Sequence, residues 1–110
     1  MKKRTVTLAL VILGATLLPT MVSASEKKGL RLYKKKMQRK CKMAGSLFAR
    51  KHTQEEWEKL REKGTFKTEA GKICPAVDFS KFSPKQWSDL YDFSYAYGIG
   101  GRIPHGCDPV

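Results

Sequence analysis

The chain has 110 residues, with 22 basic and 10 acidic side chains that give it a formal net charge of +12. This length leaves room for one domain and excludes a multidomain enzyme. The hydrophobic content of 41% and the aromatic content of 10% are typical of a globular protein rather than of a disordered tail, so a small packed core is expected.

The first 24 residues have the organisation of a secretory signal peptide. A basic start is followed by an apolar stretch and then by small residues at Val22 and Ala24, which have the narrow side chains that signal peptidase requires. The apolar stretch, of roughly 13 residues, is short for an uncleaved membrane anchor. We therefore predict cleavage after Ala24, a single exported domain over 25–110, and a periplasmic location.

The segment that follows combines an apolar stripe with dense positive charge. Apolar residues at intervals of three and four predict an amphipathic helix from about Lys28 to Arg50. The stripe consists of Leu30, Tyr33, Met37, Cys41, Ala44 and Phe48. Between residues 25 and 42 the single acidic residue, Glu26, stands against nine basic ones: Lys27, Lys28, Arg31, Lys34, Lys35, Lys36, Arg39, Lys40 and Lys42.

This one-sided charge predicts association with a negatively charged surface, because such a field steers oppositely charged partners. The candidate partner-binding residues are Lys34, Lys35, Lys36, Arg39 and Lys40. An acidic periplasmic protein and anionic lipid headgroups are the favoured partners. Nucleic acid fits the charge but not an exported protein, and a solvated helix face that only maintains solubility is an open alternative.

Two further helices have clear start signals. Thr53 and Glu56 form a capping box, which predicts a helix from Gln54 that stops at Gly64. Ser83, Pro84 and Gln86 form a second box with proline at the first helical position, which predicts a last helix from Pro84 to about Tyr97.

Between these helices, Phe66 and Ile73 suggest a short helix that ends before Pro75. Glycines after Tyr97 break regular structure, and no stretch alternates polar and apolar residues as a half-buried strand would. The predicted fold is all-α, a small bundle of three main helices plus a short helix, with an irregular Gly/Pro-rich C-terminal tail.

Three cysteines in an exported chain predict one disulfide and one leftover thiol. Spacing does not decide among the three pairings. We favour Cys74 with Cys107, because the glycine-rich tail around Cys107 has little else to hold it. Cys41 would then be the free thiol, through which two copies could form a dimer.

Cofactor signals are weak. The haem-attachment motif C-x-x-C-H is absent, so covalent haem is not expected. His52 and His105 are weak candidates for binding non-covalent haem or copper, with methionines and Cys41 as soft ligands, but none falls in a recognised ligand spacing. Cys41 with His52 could form a thiolate and base, yet a cysteine on an apolar stripe is more often buried or oxidised. No cofactor and no enzymatic activity are predicted.

Four short motifs run through most of the exported region: Gly29-Leu30-Arg31-Leu32-Tyr33, His52-Thr53-Gln54-Glu55-Glu56-Trp57, Ile73-Cys74-Pro75 and the Pro-x-x-Cys end at Pro104 to Cys107. On these motifs the chain resembles small cytochrome-c-like periplasmic bacterial proteins that lack the haem-binding motif. The resemblance implies an electron-transfer or respiratory-chain setting. It carries over no haem-binding residue.

Together these features predict a non-catalytic accessory protein that docks on an acidic partner, with a link to respiratory electron transfer. Two alternatives stay open at this point. One is a haem- or copper-binding carrier of electrons or metal, and the other is a binder of anionic membrane surfaces.

Overall fold

A computed structural model describes residues 24–103. Over this part the chain is all-α, which confirms the predicted class, and it contains five helices and no strand. Helix α1 comprises Ala24–Leu32, a π-helical segment at Tyr33–Met37 and a final turn at Gln38–Cys41; α2 is Gly45–Ala49, α3 is Gln54–Glu62, α4 is Phe66–Ile73 and α5 is Pro84–Tyr97. None of the helices in this range has the length and apolarity needed to cross a bilayer.

Helix α5 is the centre of the fold. The first part of α1 lies along it, α2 and α3 also contact it, and α4 packs against α3. Large side chains from the first three helices and α5 fill the space between them without contact with solvent: Trp57, Tyr33, Phe48, Phe93, Met37 and Leu90. Burial of such aromatic and aliphatic surface is the main source of stability in a domain of this size.

Helix α1 approaches α5 closely because Gly29 lies at their crossing. A Cβ atom on this residue would overlap the carbonyl oxygen of Asp89 and come within 2.7 Å of the Cβ of Phe93. Only a residue without a side chain therefore allows the two backbones to meet at this distance.

The π-helical segment keeps the apolar stripe of α1 directed at the core. Gly29, Tyr33, Met37 and Cys41 are buried and follow one another at intervals of four residues. In a regular α-helix, four residues exceed one turn by roughly 40°, so this stripe would rotate away from α5. The wider turn at Tyr33–Met37 corrects the rotation, and it leaves the three intervening lysines exposed.

The prediction of one helix from Lys28 to Arg50 is wrong at its C-terminal half. Helix α1 ends at Cys41, because Lys42 adopts a left-handed conformation with φ 61° and its amide donates to the carbonyl of Gln38 at 2.8 Å. Ala44 is extended, and the short helix α2 then starts at Gly45. A left-handed helix end is usually marked by glycine, and lysine gives no such signal in the sequence.

Both predicted capping boxes are confirmed. At the start of α3, the amide of Glu56 donates to Thr53 Oγ1 at 3.0 Å and the Thr53 amide donates to Glu56 Oε1 at 3.1 Å. Ser83 and Gln86 make the equivalent pair of bonds before α5, at 3.1 and 2.9 Å.

The predicted ends of α3, α4 and α5 lie within two residues of the observed ends. Helix α3 ends at Glu62, two residues before Gly64, whose φ is 74°. The short helix α4 lies over the predicted residues, and α5 ends at Tyr97. The first residues of the tail turn back onto α3, where the backbone N–H of Gln54 donates to the carbonyl of Ile99 at 3.1 Å.

The disulfide joins Cys41 to Cys74, with a Cα–Cα distance of 4.7 Å. This corrects the predicted Cys74–Cys107 pairing; Cys107 lies outside the described residues. The C-terminal ends of α1 and α4 meet at this point, and that contact is a property of the tertiary fold rather than of the spacing. Cys41 has no free thiol in this form, so the predicted dimer through Cys41 does not apply to it.

Tyr33 provides a test of the core by pH. Burial raises the pKa of its phenol from 10.0 to about 12, and the protonated hydroxyl donates to the Met43 carbonyl at 2.7 Å. The resulting stabilisation is complete below the unfolded pKa near 10 and is lost as the pH rises through the folded value. We expect the free energy of unfolding to fall between about pH 10 and about pH 12 by more in the wild type than in Tyr33→Phe.

Urea unfolding followed by circular dichroism at a series of pH values measures this difference. At neutral pH, Tyr33→Phe is expected to be less stable by about 1 kcal/mol, because it loses the hydrogen bond to Met43. An identical fall with pH in the two proteins would show that Tyr33 titrates as an exposed tyrosine does.

Candidate functional site

The nine basic residues of α1 and its C-cap form one exposed surface. We call this set the basic surface: Lys27, Lys28, Arg31, Lys34, Lys35, Lys36, Arg39, Lys40 and Lys42, every one of which is exposed. The fold produces it because the opposite stripe of the same helix is buried against the core. All five predicted partner-binding residues belong to it.

The charges of the basic surface are not neutralised by ion pairs. Within residues 24–103, no carboxylate lies within 4.0 Å of any of the nine cationic groups, and the ion pairs that form there join other residues. Glu26, the acidic residue of α1, accepts from Arg102 Nε at 3.2 Å. The surface therefore presents its full positive charge to solvent.

Two shallow grooves run beside the basic surface and extend it. One, of about 250 Å³, is lined by Lys28, Arg31, Lys35 and Lys36 of α1 together with α5 side chains. The other, of about 240 Å³, places Lys81 from the loop before α5 beside Lys36 and Lys40. Sequence reasoning missed Lys81, because only the tertiary fold brings that loop to α1.

Asp78 is the carboxylate that borders this second groove. Its pKa lies below the ordinary value, first because the Ser80 hydroxyl and amide donate to it, and then because Lys81 and Lys40 are near. Its Oδ1 accepts from the Ser80 hydroxyl at 2.7 Å and from the Ser80 amide at 2.9 Å. The carboxylate is thus held by its own loop and forms no ion pair with the lysines of α1.

The apolar face of α1 packs against the core. Leu32, Tyr33 and Met37 are buried, and the large hydrophobic side chains exposed in the described part of the chain lie on other segments: Leu47, Tyr95, Ile99 and Ile103. A helix that inserts into a membrane interface needs an apolar face free to enter the acyl boundary. On helix α1, Leu30 is half-buried against the core, and the long exposed side chains are those of lysine and arginine.

His52, a weak metal candidate, connects three elements. Its Nδ1 lies 3.1 Å from Glu56 Oε1 and its Nε2 lies 2.8 Å from Glu69 Oε2, while its ring packs edge-on against Trp57 at 4.8 Å. Both ring nitrogens are therefore occupied by carboxylates of α3 and α4. The pKa of Glu56 lies below the ordinary value, because the Thr53 amide and then His52 bond to its charged form.

The other proposed soft ligands are held in the core or in the disulfide. Met37 is fully buried in the core, and Met43 packs against the core. Cys41 is in the disulfide, so Cys41 cannot act as a thiolate. His105 lies outside the described residues. Between residues 24 and 103, no group of three or more His, Cys, Asp or Glu side chains is arranged to hold a metal ion.

Comparisons of the chain with protein-family models, with curated proteins and with solved structures find no match. The resemblance to small cytochrome-c-like proteins therefore stays a prediction.

Proposed function

We propose that the protein is a non-catalytic periplasmic binding module whose basic surface docks on an acidic protein. One observation carries this proposal: nine cationic side chains of α1 and its C-cap are exposed and have no carboxylate partner within ion-pair distance in the described part of the chain. Leaving so much charge of one sign unpaired costs stability through self-repulsion. A docking role explains why the protein keeps these unpaired charges despite the loss of stability.

A rigid support for the basic surface favours docking on a defined partner. Helix α1 is fixed to α5 at the Gly29 crossing, and its C-terminal end is joined to α4 by the Cys41–Cys74 disulfide. A preorganised surface loses less conformational entropy on binding than a flexible basic tail does. The cations can therefore match a fixed arrangement of carboxylates on a folded protein.

An acidic protein is favoured over a lipid surface because the apolar face of α1 is buried. Anionic headgroups would attract the basic surface, but the large apolar side chains of α1 pack against the core and none of them is exposed to add insertion to that attraction. The resemblance to cytochrome-c-like proteins suggests a respiratory component as the class of acidic partner.

The choice between these partners is tested with two probes. Residues 25–110 are measured for retention by immobilised poly-L-glutamate and for sedimentation with vesicles of phosphatidylglycerol or of phosphatidylcholine. A Lys34→Glu/Lys35→Glu/Lys36→Glu variant reverses the centre of the basic surface. A Lys51→Glu/Lys63→Glu/Lys72→Glu variant makes the same change in net charge at exposed positions elsewhere.

We expect the wild type and the matched control to bind poly-L-glutamate, and the α1 variant to bind at least about tenfold more weakly. Sedimentation with phosphatidylglycerol vesicles that is stronger than retention by poly-L-glutamate would instead assign the basic surface to membranes. Equal weakening of the two variants would show that net charge alone matters and would contradict a docking surface on α1.

A further inference from the structure

A second concave surface lies on the side of α5 that faces away from α1. Asp89 and Phe93 of α5 meet Gly29, whereas Trp87 and Tyr91 point to a groove of about 300 Å³ that is closed on its other side by the end of α3 and the start of α4. We call it the ring groove. Its volume is at the lower end of the range in which proteins bind small ligands.

Aromatic rings form the walls of the ring groove. Phe66 packs edge-on against both Trp87 and Tyr91, with ring centroids 6.0 and 5.4 Å away. Phe79 stacks on Trp87 at 5.1 Å and holds that ring from outside the groove. Trp87 is half-buried, whereas Phe66 and Tyr91 are each only 7% exposed. A planar ligand ring would therefore pack on the exposed part of the Trp87 indole and meet the accessible edges of Phe66 and Tyr91, in offset-stacked or edge-to-face geometry.

Two cations stand over these walls. The Arg61 guanidinium carbon lies 4.6 Å from the centre of the Tyr91 ring, and Lys67 Nζ lies 5.5 Å from that of Trp87. No carboxylate lines the groove, and neither cation forms an ion pair with a carboxylate of residues 24–103. Cation–π contacts at exposed positions are weak enough for both groups to turn to an anion.

The two ends of the ring groove differ in charge. A neighbouring groove shares Arg61 and Tyr91 but carries three carboxylates, those of Glu58, Glu62 and Asp92. An anionic group is repelled at that end and attracted at the end where Lys67 lies. Arginine in addition matches the geometry of a carboxylate, to which it donates two parallel hydrogen bonds.

We propose that the ring groove binds a small ligand made of a planar aromatic ring that bears a carboxylate. The ring packs among Phe66, Trp87 and Tyr91, and the carboxylate lies between Arg61 and Lys67. This binding is separate from the docking of the basic surface, since the two sites lie on opposite sides of α5 and share no residue.

The chain contains its own reporter for this site. Its two tryptophans are Trp87, in the groove, and Trp57, which is fully buried and donates its indole N–H to the Ala49 carbonyl at 2.7 Å. In ¹⁵N–¹H correlation spectra of residues 25–110, the Trp87 indole signal therefore reports on the groove and the Trp57 signal on the integrity of the core. The probes are indole-3-acetate and its uncharged analogue, indole-3-acetamide.

We expect indole-3-acetate to shift the Trp87 indole signal saturably, with a dissociation constant of about 1 mM or below. Indole-3-acetamide is expected to bind at least about fivefold more weakly, since it cannot form charge-assisted hydrogen bonds. In Arg61→Gln/Lys67→Gln the acetate should bind no more tightly than the acetamide. The control Lys34→Gln/Lys35→Gln removes the same charge from the basic surface and should leave both affinities unchanged.

Two results would overturn the proposal. If indole-3-acetate leaves the Trp87 signal unmoved while the Trp57 signal shows a folded core, Arg61 and Lys67 serve only to cover the rings. If the acetate and the acetamide bind equally, the cations do not select an anion. Either result leaves the docking of the basic surface untouched, because that docking is measured on variants of α1.

Discussion

Replacing Trp57 with alanine is expected to lower the free energy of unfolding by about 3–5 kcal/mol. The ring is fully buried, stacks on Phe48 at 5.8 Å and meets Phe66 edge-on at 5.5 Å. Its removal leaves a cavity between α2, α3 and α4, and it leaves the buried Ala49 carbonyl without its donor. The loss is a large part of the stability of a small domain.

Urea unfolding followed by circular dichroism measures this loss, with Trp57→Phe as the control. Phenylalanine keeps most of the ring but not the indole N–H, so its cost should be intermediate, about 1–3 kcal/mol for the unpaired carbonyl. A loss below about 1 kcal/mol in Trp57→Ala is the size expected of an exposed site, and it would contradict the packing of α3 described above.

Removal of the Cys41–Cys74 disulfide is the second large effect. The two cysteines are 33 residues apart, and cross-linking a loop of this length stabilises a protein by roughly 3–4 kcal/mol in the chain-entropy model. We expect Cys41→Ser/Cys74→Ser to lose about that amount, with a fall in Tm of roughly 15–25 °C. Differential scanning calorimetry of the variant and of the oxidised wild type measures it.

Cys107→Ser is the matched control for the pairing. If Cys41 and Cys74 are bonded, this substitution removes only the leftover thiol, and the Tm should stay within a few degrees of the wild type. A loss in Cys107→Ser as large as that in the double variant would contradict the Cys41–Cys74 pairing and would place Cys107 in the disulfide.

The parts of the fold that the sequence predicts well are those fixed by local interactions. The Thr53–Glu56 and Ser83–Gln86 boxes each satisfy two backbone amides with side chains three residues away, so the starts of α3 and α5 follow from the residues alone. The exposure of the lysines on α1 is also predictable from local spacing, because the helix has a single apolar stripe that faces the core. The basic surface therefore consists of the residues that the sequence predicted.

Features that depend on tertiary contacts could not be read in this way. Lys42 is left-handed, although nothing in its residue type distinguishes it from the lysines before it. The pairing of Cys41 with Cys74 depends on where α1 and α4 end in space. His52 precedes the N-cap of α3, so its bonds to Glu56 and to Glu69 on α4 depend on how the chain before α3 places the ring and are not given by helix spacing.

The ring groove shows the same limit at a candidate site. Trp87 and Tyr91 are four residues apart, so the sequence places both on one face of α5. Large aromatic residues at this spacing predict a face that is buried against the core. In the structure Tyr91 is buried in the core, and Trp87 is half-buried and borders a groove with Phe66 and the cations of α3 and α4. No spacing rule relates Arg61 or Lys67 to Trp87.

Docking of the basic surface on an acidic protein is measured by the affinity of residues 25–110 for poly-L-glutamate at two salt concentrations. Isothermal titration calorimetry at about 50 mM and about 300 mM NaCl compares the wild type with the two charge-reversal variants described above, since salt in this range screens exposed charges strongly. We expect the wild type and the Lys51→Glu/Lys63→Glu/Lys72→Glu control to lose at least about tenfold in affinity at the higher salt. The Lys34→Glu/Lys35→Glu/Lys36→Glu variant should bind weakly at both concentrations. Binding by that variant as tight as the wild type, and insensitive to salt, would contradict the account.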